Sequence, residues 1–191
     1  MRILRLVLCF IFVTSSMSTT AQVLTVTNSP RAFSVATPTS WLLRPVSTGN
    51  SRIKFSSPSG TPSAECSVIS KEFAGLSGLP QEYFDSIILK QTSAAERTDQ
   101  LAARYNNVRV WGVGFTSVSG FPGQSYNVSF SVGTPSGEVW YRAYYVESAT
   151  VPGLVWTIGC GGSGRTLDEA NRSFSFWQNE ISVFATNIRI L

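Results

Sequence analysis

Residues 166–184, TLDEANRSFSFWQNEISVF, decide the fold, because their pattern predicts an amphipathic helix that must be buried. Thr166 is placed to cap the first turn, and Glu169 is placed to reach back towards it, as in a capping box. Apolar residues then recur at spacings of three and four: Leu167, Ala170, Phe174, Trp177, Ile181 and Phe184. A stripe of this width packs against another element. We therefore expect one helix over 167–184, packed on a sheet at the C-terminal end of the chain.

The sheet is predicted from segments in which apolar and polar residues alternate with a period of two. The clearest of them is 125–132, SYNVSFSV. Residues 134–137, TPSG, predict a hairpin turn into a strand over 138–147. Further strands are expected at 33–35, 41–43, 53–55, 64–69, 108–116 and 154–160. The loops between the strands are short, so neighbouring strands should be antiparallel.

Helical spacing interrupts the strands at residues 80–105. Pro80 suits a first helical turn, and the apolar pairs Tyr83-Phe84 and Ile87-Ile88 follow at intervals of one turn. Alanines and a leucine continue the pattern over 93–105. The sequence leaves open whether this segment forms one helix or two.

The N-terminal 21 residues have the pattern of a cleaved signal peptide. Arg2 and Arg5 supply a basic start, an apolar run extends to Val13, and Thr19-Thr20-Ala21 offers a small-residue cleavage site. The run is shorter than the roughly 20 residues that cross a bilayer, so no stable membrane anchor is expected after cleavage. We predict a periplasmic or secreted protein with one domain over 22–191.

Two cysteines, Cys66 and Cys160, remain once the leader and its Cys9 are removed. An even number of cysteines in an oxidising compartment favours a disulfide. Both residues fall on the apolar side of their predicted strands, where their sulfur atoms could meet. The alternative is a pair of buried free thiols.

Charge and composition exclude several classes of function. The chain has a formal net charge of +4. Removing two leader arginines leaves thirteen basic residues against eleven acidic ones, a net +2, and no basic cluster typical of nucleic-acid binding stands out. There is no histidine, which excludes histidine acid–base catalysis and the commonest zinc and iron sites. We predict neither a cofactor nor a metal site.

The segment 159–166, GCGGSGRT, has the spacing of a phosphate-binding loop with arginine in place of lysine. A nucleotide site is disfavoured because that lysine is missing and because Cys160 is needed for the disulfide. We interpret the segment as a flexible turn that reverses the chain before its last helix.

Catalytic carboxylates are also weakly indicated. A pair of acidic residues could hydrolyse a glycan without histidine. However, Asp168 and Glu169 are explained by the start of the last helix, and Glu82 and Asp85 by a solvated helix face. Only two of these groups converging in a cleft would indicate an enzyme.

A candidate binding face combines aromatic and arginine side chains, which are typical of recognition surfaces. Two strands contribute to it, each with three residues predicted to share a side: Arg109, Trp111 and Phe115 on one, and Trp140, Arg142 and Tyr144 on the other. The alternative, which we favour, is that a helix covers this face and that the arginine heads reach water.

Taken in order, these elements resemble the PsbP-like family of small exported domains, which is itself similar to the nuclear-transport-cofactor fold. The resemblance is carried by FSVATP at 33–38 with Ser40-Trp41, by 53–55 leading to 66–68, by the mid-chain helix, by 140–146 and by the last helix ending in 187–190. It implies an α+β fold in which an antiparallel sheet carries helices on both faces, an α/β/α sandwich. It also implies a non-enzymatic role in binding or stabilising a larger assembly.

The first functional hypothesis is therefore an exported accessory or binding module that acts through surface contacts with a protein or envelope component. The second is the histidine-free glycan hydrolase. A third is a carrier that holds a small apolar ligand between sheet and helix, which would require an enclosed pocket.

Overall fold

The computed structural model describes residues 21–27, 31–44, 51–90 and 92–191. Apart from Ala21, the predicted signal peptide lies outside the described residues. The described residues form ten strands and four α-helices. The strands are β1 (Ala21–Val26), β2 (Phe33–Pro38), β3 (Leu42–Arg44), β4 (Ser51–Ser56), β5 (Ala64–Glu72), β6 (Asn106–Val118), β7 (Phe121–Thr134), β8 (Gly137–Thr150), β9 (Leu154–Gly164) and β10 (Ile188–Ile190). The helices are α1 (Gln81–Leu89), α2 (Ala94–Ala102), α3 (Leu167–Phe176) and α4 (Gln178–Thr186).

The main sheet has seven antiparallel strands in the order β3-β4-β5-β9-β8-β7-β6. Its two faces are defined here by residues of β8. The α3 face carries Arg142 and Tyr144, and α3 and α4 pack on it; the α2 face carries Ala143 and Tyr145, and α1 and α2 pack there. The predicted α+β fold with helices on both faces of an antiparallel sheet is confirmed. The segment 80–105, left open by the sequence, is two helices.

A second sheet, which the sequence did not predict, has three strands in the order β1-β2-β10. The last strand pairs antiparallel with the first predicted one, Ile188 opposite Val35 and Ile190 opposite Phe33. Phe33 meets Trp156 of the main sheet edge to face at 5.6 Å. The small sheet therefore lies on the α3 face and covers the part of it that α3 leaves open.

The C-terminal helix is interrupted, which corrects the prediction of one helix over 167–184. Trp177 has φ −100° and ψ 13°, outside helical geometry, and it separates α3 from α4. Its ring is buried, lies 5.4 Å from that of Trp41 and donates Nε1–H to the carbonyl oxygen of Pro62 at 2.7 Å. The chain thus bends at an anchored tryptophan, and the apolar stripe stays against the sheet on both sides of the bend.

The first turn of α3 is capped from two directions. Thr166 Oγ1 accepts a hydrogen bond from the backbone N–H of Glu169 at 3.2 Å. The Glu169 carboxylate reaches back one residue further than in a standard capping box and accepts from the N–H of Arg165 at 2.7 Å. The first bond satisfies a donor that a helix N-terminus leaves free, and the second fixes the residue just before the cap.

Glycines 159, 161, 162 and 164 lie inside strand β9, so the interpretation of 159–166 as a flexible turn is wrong. A Cβ atom on Gly162 would lie 2.8 Å from the Ala170 carbonyl oxygen, and one on Gly164 would lie 2.9 Å from the Ala170 nitrogen. The two glycines therefore let α3 pack directly on the strand backbone. The segment forms no loop at a helix N-terminus, which removes the geometry of a phosphate-binding loop.

A disulfide joins Cys66 and Cys160, the pairing that the sequence predicts. The two residues are directly opposite each other in β5 and β9, with Cα atoms 4.1 Å apart, and both are buried in the core of the α3 face. The bond links two central strands that are 94 residues apart in sequence.

A half-buried ion pair holds α2 on its face of the sheet. Arg97 Nη2 lies 3.0 Å from Glu147 Oε2, and the Glu147 carboxylate also accepts a hydrogen bond from the Tyr126 hydroxyl at 3.0 Å. Burial, followed by the neighbouring Glu147 charge, raises the pKa of Tyr126. Gln124 extends the network by donating to the carbonyls of Ile88 and Lys90, at the end of α1. These contacts give most of the polar groups named here structural hydrogen bonds, whereas Arg97 Nε is buried without a partner among the described residues.

No helix in the described part of the chain combines the length and the hydrophobicity needed to cross a membrane.

Candidate functional site: a groove beside Arg142

Five of the six residues predicted to share a binding face lie on the α3 face of the sheet: Arg109, Trp111, Trp140, Arg142 and Tyr144. Pairing places Arg109 opposite Ser129, and Ser129 opposite Arg142 on the other side. In the same way, Asn127 lies between Trp111 and Tyr144. Residues directly opposite each other in a sheet point to the same side. Trp140, two residues before Arg142 on β8, completes the set.

Phe115 does not belong to this face, which corrects the sequence interpretation. The β6–β7 register shifts between Trp111 and Gly114, and Gly112 in the shifted segment has φ +62°. One extra residue at such a bulge moves every later side chain to the opposite face. Phe115 therefore pairs with Gln124 on the α2 side and is exposed.

Arg142 is held between two aromatic rings. Its guanidinium carbon lies 4.2 Å from the centre of the Trp111 ring and 4.5 Å from that of Phe174 on α3. Nη2 donates to Asn127 Oδ1 at 3.1 Å, and Nη1 donates to the Ala143 carbonyl oxygen at 2.9 Å. Burial lowers the pKa of Arg142, but an arginine remains protonated at any physiological pH. The result is a rigid cation with restricted access to water.

The expectation that a helix covers this face is met only at its centre. Phe174 covers the Arg142 guanidinium, whereas Arg109 at the sheet edge is exposed. Trp111, Trp140 and Tyr144 are half-buried. The sequence analysis expected the guanidinium of Arg142 to reach water. In the structure it is covered instead, between the rings of Trp111 and Phe174.

A groove of about 510 Å³ opens between this part of the sheet and helices α3 and α4. The sheet contributes the floor, and the helices contribute a wall of amides, hydroxyls and small apolar groups. Its polar lining residues are Asn127, Arg142, Tyr144, Asn171, Ser175, Gln178, Ser182 and Thr186. None of the described residues that line it is a carboxylate. A rigid cation beside neutral donors and acceptors can hold an anionic group of a ligand.

The groove residues on the helices were missed by the sequence reasoning, because Asn171, Gln178 and Ser182 look like an ordinary solvated helix face. One signal was present. The polar side of the strand over 125–132 carries Asn127 among serines, and the sheet face it occupies lies under a helix, where apolar residues are usual. A row of polar side chains on a sheet face that a helix covers indicates a groove that water can enter.

Three carboxylates of the main sheet have partners elsewhere. Glu65 pairs with Lys54 at 2.7 Å, Glu147 pairs with Arg97, and Glu138 accepts from the Ser131 hydroxyl at 2.6 Å. Among the described residues, no group of three or more acidic or cysteine side chains could hold a metal ion. The arrangement does not bring Asp168 or Glu169 into the groove.

Neither the protein-family models nor the curated proteins compared with the chain contain a match to its sequence. Its fold is similar to that of LpqN from Mycobacterium tuberculosis, described as involved in cell envelope biogenesis, with a TM-score of 0.52 and 11% identity over 89% of this chain and 91% of that one. It is also similar to cyanobacterial PsbP from Synechocystis, with a TM-score of 0.54 and 11% identity over 90% and 94% of the two chains. At this identity the likeness shows the fold alone. The chain therefore has the PsbP-like fold that its sequence resembles.

Proposed function

We propose that this chain is an exported binding module that uses the groove beside Arg142 to hold an anionic group of a protein or envelope component. The observation that carries the proposal is the position of the Arg142 guanidinium, between the Trp111 and Phe174 rings and without an ion-pair partner among the described residues. Taking a cation out of water is costly unless a counter-charge arrives. The groove supplies the place for one.

Pre-organisation also supports a binding role. Asn127 fixes one edge of the guanidinium and the Ala143 carbonyl fixes another, so two of its five N–H groups are used and the rest remain for a ligand. The aromatic rings prevent the head from turning away. An anionic group entering the groove would therefore meet a donor that loses little conformational entropy on binding.

The setting outside the cytoplasm is supported by the leader pattern, by the disulfide and by the likeness to an envelope-biogenesis protein. The glycan hydrolase, the second hypothesis, is not favoured, because none of the described residues that line the groove is a carboxylate. The third hypothesis, an apolar carrier, is not favoured either, because most of the side chains that line the groove are polar.

The test is affinity capture from the envelope fraction of the source cells with the immobilised chain 22–191. Arg142→Met keeps the apolar stem between the two rings but removes the charge, and it should lose the captured component. Arg189→Met, on the exposed side of β10, is the matched control and should retain it. Equal capture by wild type and Arg142→Met would show that the groove is not the contact surface.

A further inference from the structure

A second cleft lies on the opposite side of the sheet, on the α2 face, and its shape follows from strand register. Ala143 of β8 and Gly161 of β9 are directly opposite each other, so no side chain larger than a methyl group rises from the sheet at that point. Tyr141 and Tyr145 flank Ala143 along β8 and point to the same side. The sheet surface therefore has a hollow between two large rings.

The cleft is closed on its other sides by neighbouring strands. Tyr145 leans over Gly159, where a Cβ atom would overlap its ring. Phe130 stacks on Tyr141 at 5.0 Å, and Tyr105, which follows α2, packs on Phe130 at 4.4 Å. The hollow has a volume of about 240 Å³.

Polar groups line the rim of this cleft. The phenol hydroxyls of Tyr105, Tyr141 and Tyr145 have no hydrogen-bond partner within the described residues. Strand β5 adds Glu65, opposite Gly161, and Ser67, opposite Gly159. The cleft therefore combines aromatic rings with several unoccupied hydroxyls that can each donate and accept a hydrogen bond.

The charge of the cleft is balanced. Glu65 is the one carboxylate among the described residues that line it, and Lys54 Nζ lies 2.7 Å from Glu65 Oε1. An aromatic site attracts a quaternary ammonium ion through its ring faces, and a nearby carboxylate without a counter-ion strengthens that attraction. Here the carboxylate already has its counter-ion, so a neutral ligand rich in hydroxyl groups fits better than a cation. A single paired carboxylate also provides no pair for glycoside hydrolysis.

We infer that this tyrosine cleft, lined by Tyr105, Tyr141, Tyr145, Glu65 and Ser67, binds one neutral sugar unit of a glycan without cleaving it. The apolar C–H face of a pyranose packs on a tyrosine ring, and its hydroxyls bond to the phenols and to the β5 side chains. A hollow of this size is smaller than the roughly 300–1,000 Å³ of sites for drug-sized ligands, which suits a monosaccharide unit. The inference is independent of the Arg142 groove, because the two sites lie on opposite faces of the sheet.

The experiment is an NMR titration of the folded, oxidised chain 22–191 with glucose, N-acetylglucosamine, maltose and chitobiose, and separately with choline chloride. Weak affinity is expected for single sugar units, so each probe is taken to about 50 mM, well above a millimolar dissociation constant. Binding in the cleft should shift the backbone amides of Ser67, Gly159 and Gly161.

Three variants locate the binding. Ser67→Trp fills the hollow from its rim without touching the core, and it should weaken sugar binding at least about tenfold. Tyr141→Phe keeps the stack on Phe130 but removes one hydroxyl, and it should weaken binding about three- to tenfold, as the loss of one hydrogen bond predicts. Tyr83→Phe alters an exposed tyrosine on α1 outside the cleft and should leave the affinity unchanged.

The inference is supported if at least one of the sugars shifts the cleft amides and Ser67→Trp abolishes the effect. It is overturned if none of the sugars perturbs the cleft, if Ser67→Trp binds as well as wild type, or if choline alone shifts these amides. Loss of partner capture by Arg142→Met is measured separately, so each proposal can fail without the other.

Discussion

Replacing Gly162 by alanine should be among the most damaging single-methyl changes in this protein. Gly162 lies in β9 beneath α3, and its added Cβ would lie 2.8 Å from the Ala170 carbonyl oxygen while overlapping backbone atoms of Ser173 and Phe174. Those atoms belong to the helix backbone and cannot rotate away. Relief requires the whole of α3 to move off the sheet.

The size of the effect can be worked from these contacts. The added Cβ would lie 2.7 Å from the Ser173 carbonyl carbon, 0.7 Å short of the 3.4 Å at which ordinary van der Waals contact begins, and closer still to the Phe174 nitrogen, so α3 must shift by at least that much. The shift loosens the packing of buried Ala170 and lengthens the 3.1 Å bond from the Ser173 hydroxyl to the Ser163 carbonyl. Overpacking costs about 1–3 kcal/mol and a weakened hydrogen bond about 1 kcal/mol. We expect Gly162→Ala to lower the free energy of unfolding by about 2–4 kcal/mol.

The assay is urea unfolding of the oxidised chain, followed by circular dichroism. Gly133→Ala is the matched control, because Gly133 also lies in a strand, β7, but has nothing within 4 Å of its added Cβ. The control should stay within about 0.5 kcal/mol of wild type, as exposed substitutions usually do. If Gly162→Ala unfolds at the same urea concentration as Gly133→Ala, the direct packing of α3 on the β9 backbone is refuted.

Three further predictions concern the covalent link and the ionisable groups. Replacing Cys66 and Cys160 together by serine should cost up to about 4–5 kcal/mol by the loop-entropy model, measured by urea unfolding against the oxidised wild type; a cost below 1 kcal/mol would contradict it. The capping-box bonds between Glu96 and Ser93, the residue before α2, lower the pKa of Glu96, so their contribution is present above the ordinary carboxyl pKa and is lost as the pH falls through the lowered value. Amide exchange in the first turn of α2 should therefore quicken on acidification in wild type but remain constant with pH, after correction for intrinsic exchange, in Glu96→Gln. Burial raises the pKa of Tyr126 and Tyr145. The contribution of the two protonated phenols to the free energy of unfolding is complete below the ordinary tyrosine pKa near 10 and is lost as the pH rises beyond that value. Ultraviolet titration should therefore show these two phenols ionising only on alkaline unfolding. Titration of both phenols at the ordinary pKa in the folded state would contradict the prediction.

The long strands could be predicted from the sequence because one face of each is buried and alternation reports that face directly. The same alternation placed Cys66 and Cys160 on one side, and their register makes them neighbours. It also placed Arg142 on the side of Tyr144. These predictions depend only on the two-residue alternation of apolar and polar residues, which can be seen in the local sequence.

The errors arise where tertiary contacts override local pattern. The bulge before Gly114 moves Phe115 to the other face, and nothing in the alternation around it reveals an extra residue. Trp177 continues the helical spacing although its buried hydrogen bond to Pro62, far away in sequence, ends the helix there. Glycines in β9 look like a loop because glycine is most common in turns, whereas here they make room for a helix.

Neither candidate site could be predicted as a cavity from the sequence. The Arg142 groove needs Asn127 and Gln178 from separate elements, and the tyrosine cleft depends on Ala143 meeting Gly161 across two strands. Sequence shows which residues are large or small, but only pairing shows which small residues adjoin.

The bond between Cys66 and Cys160 makes residues 66–160 a covalent ring that contains α1, α2 and the strands β6 to β8. A protease that cuts once inside this ring leaves both pieces tied together by sulfur. A nicked molecule would then migrate as an intact chain on a gel run without reductant and separate into two fragments only after reduction, so the exposed apolar surface of α1 could be clipped in an extracellular setting without the release of any part of the protein.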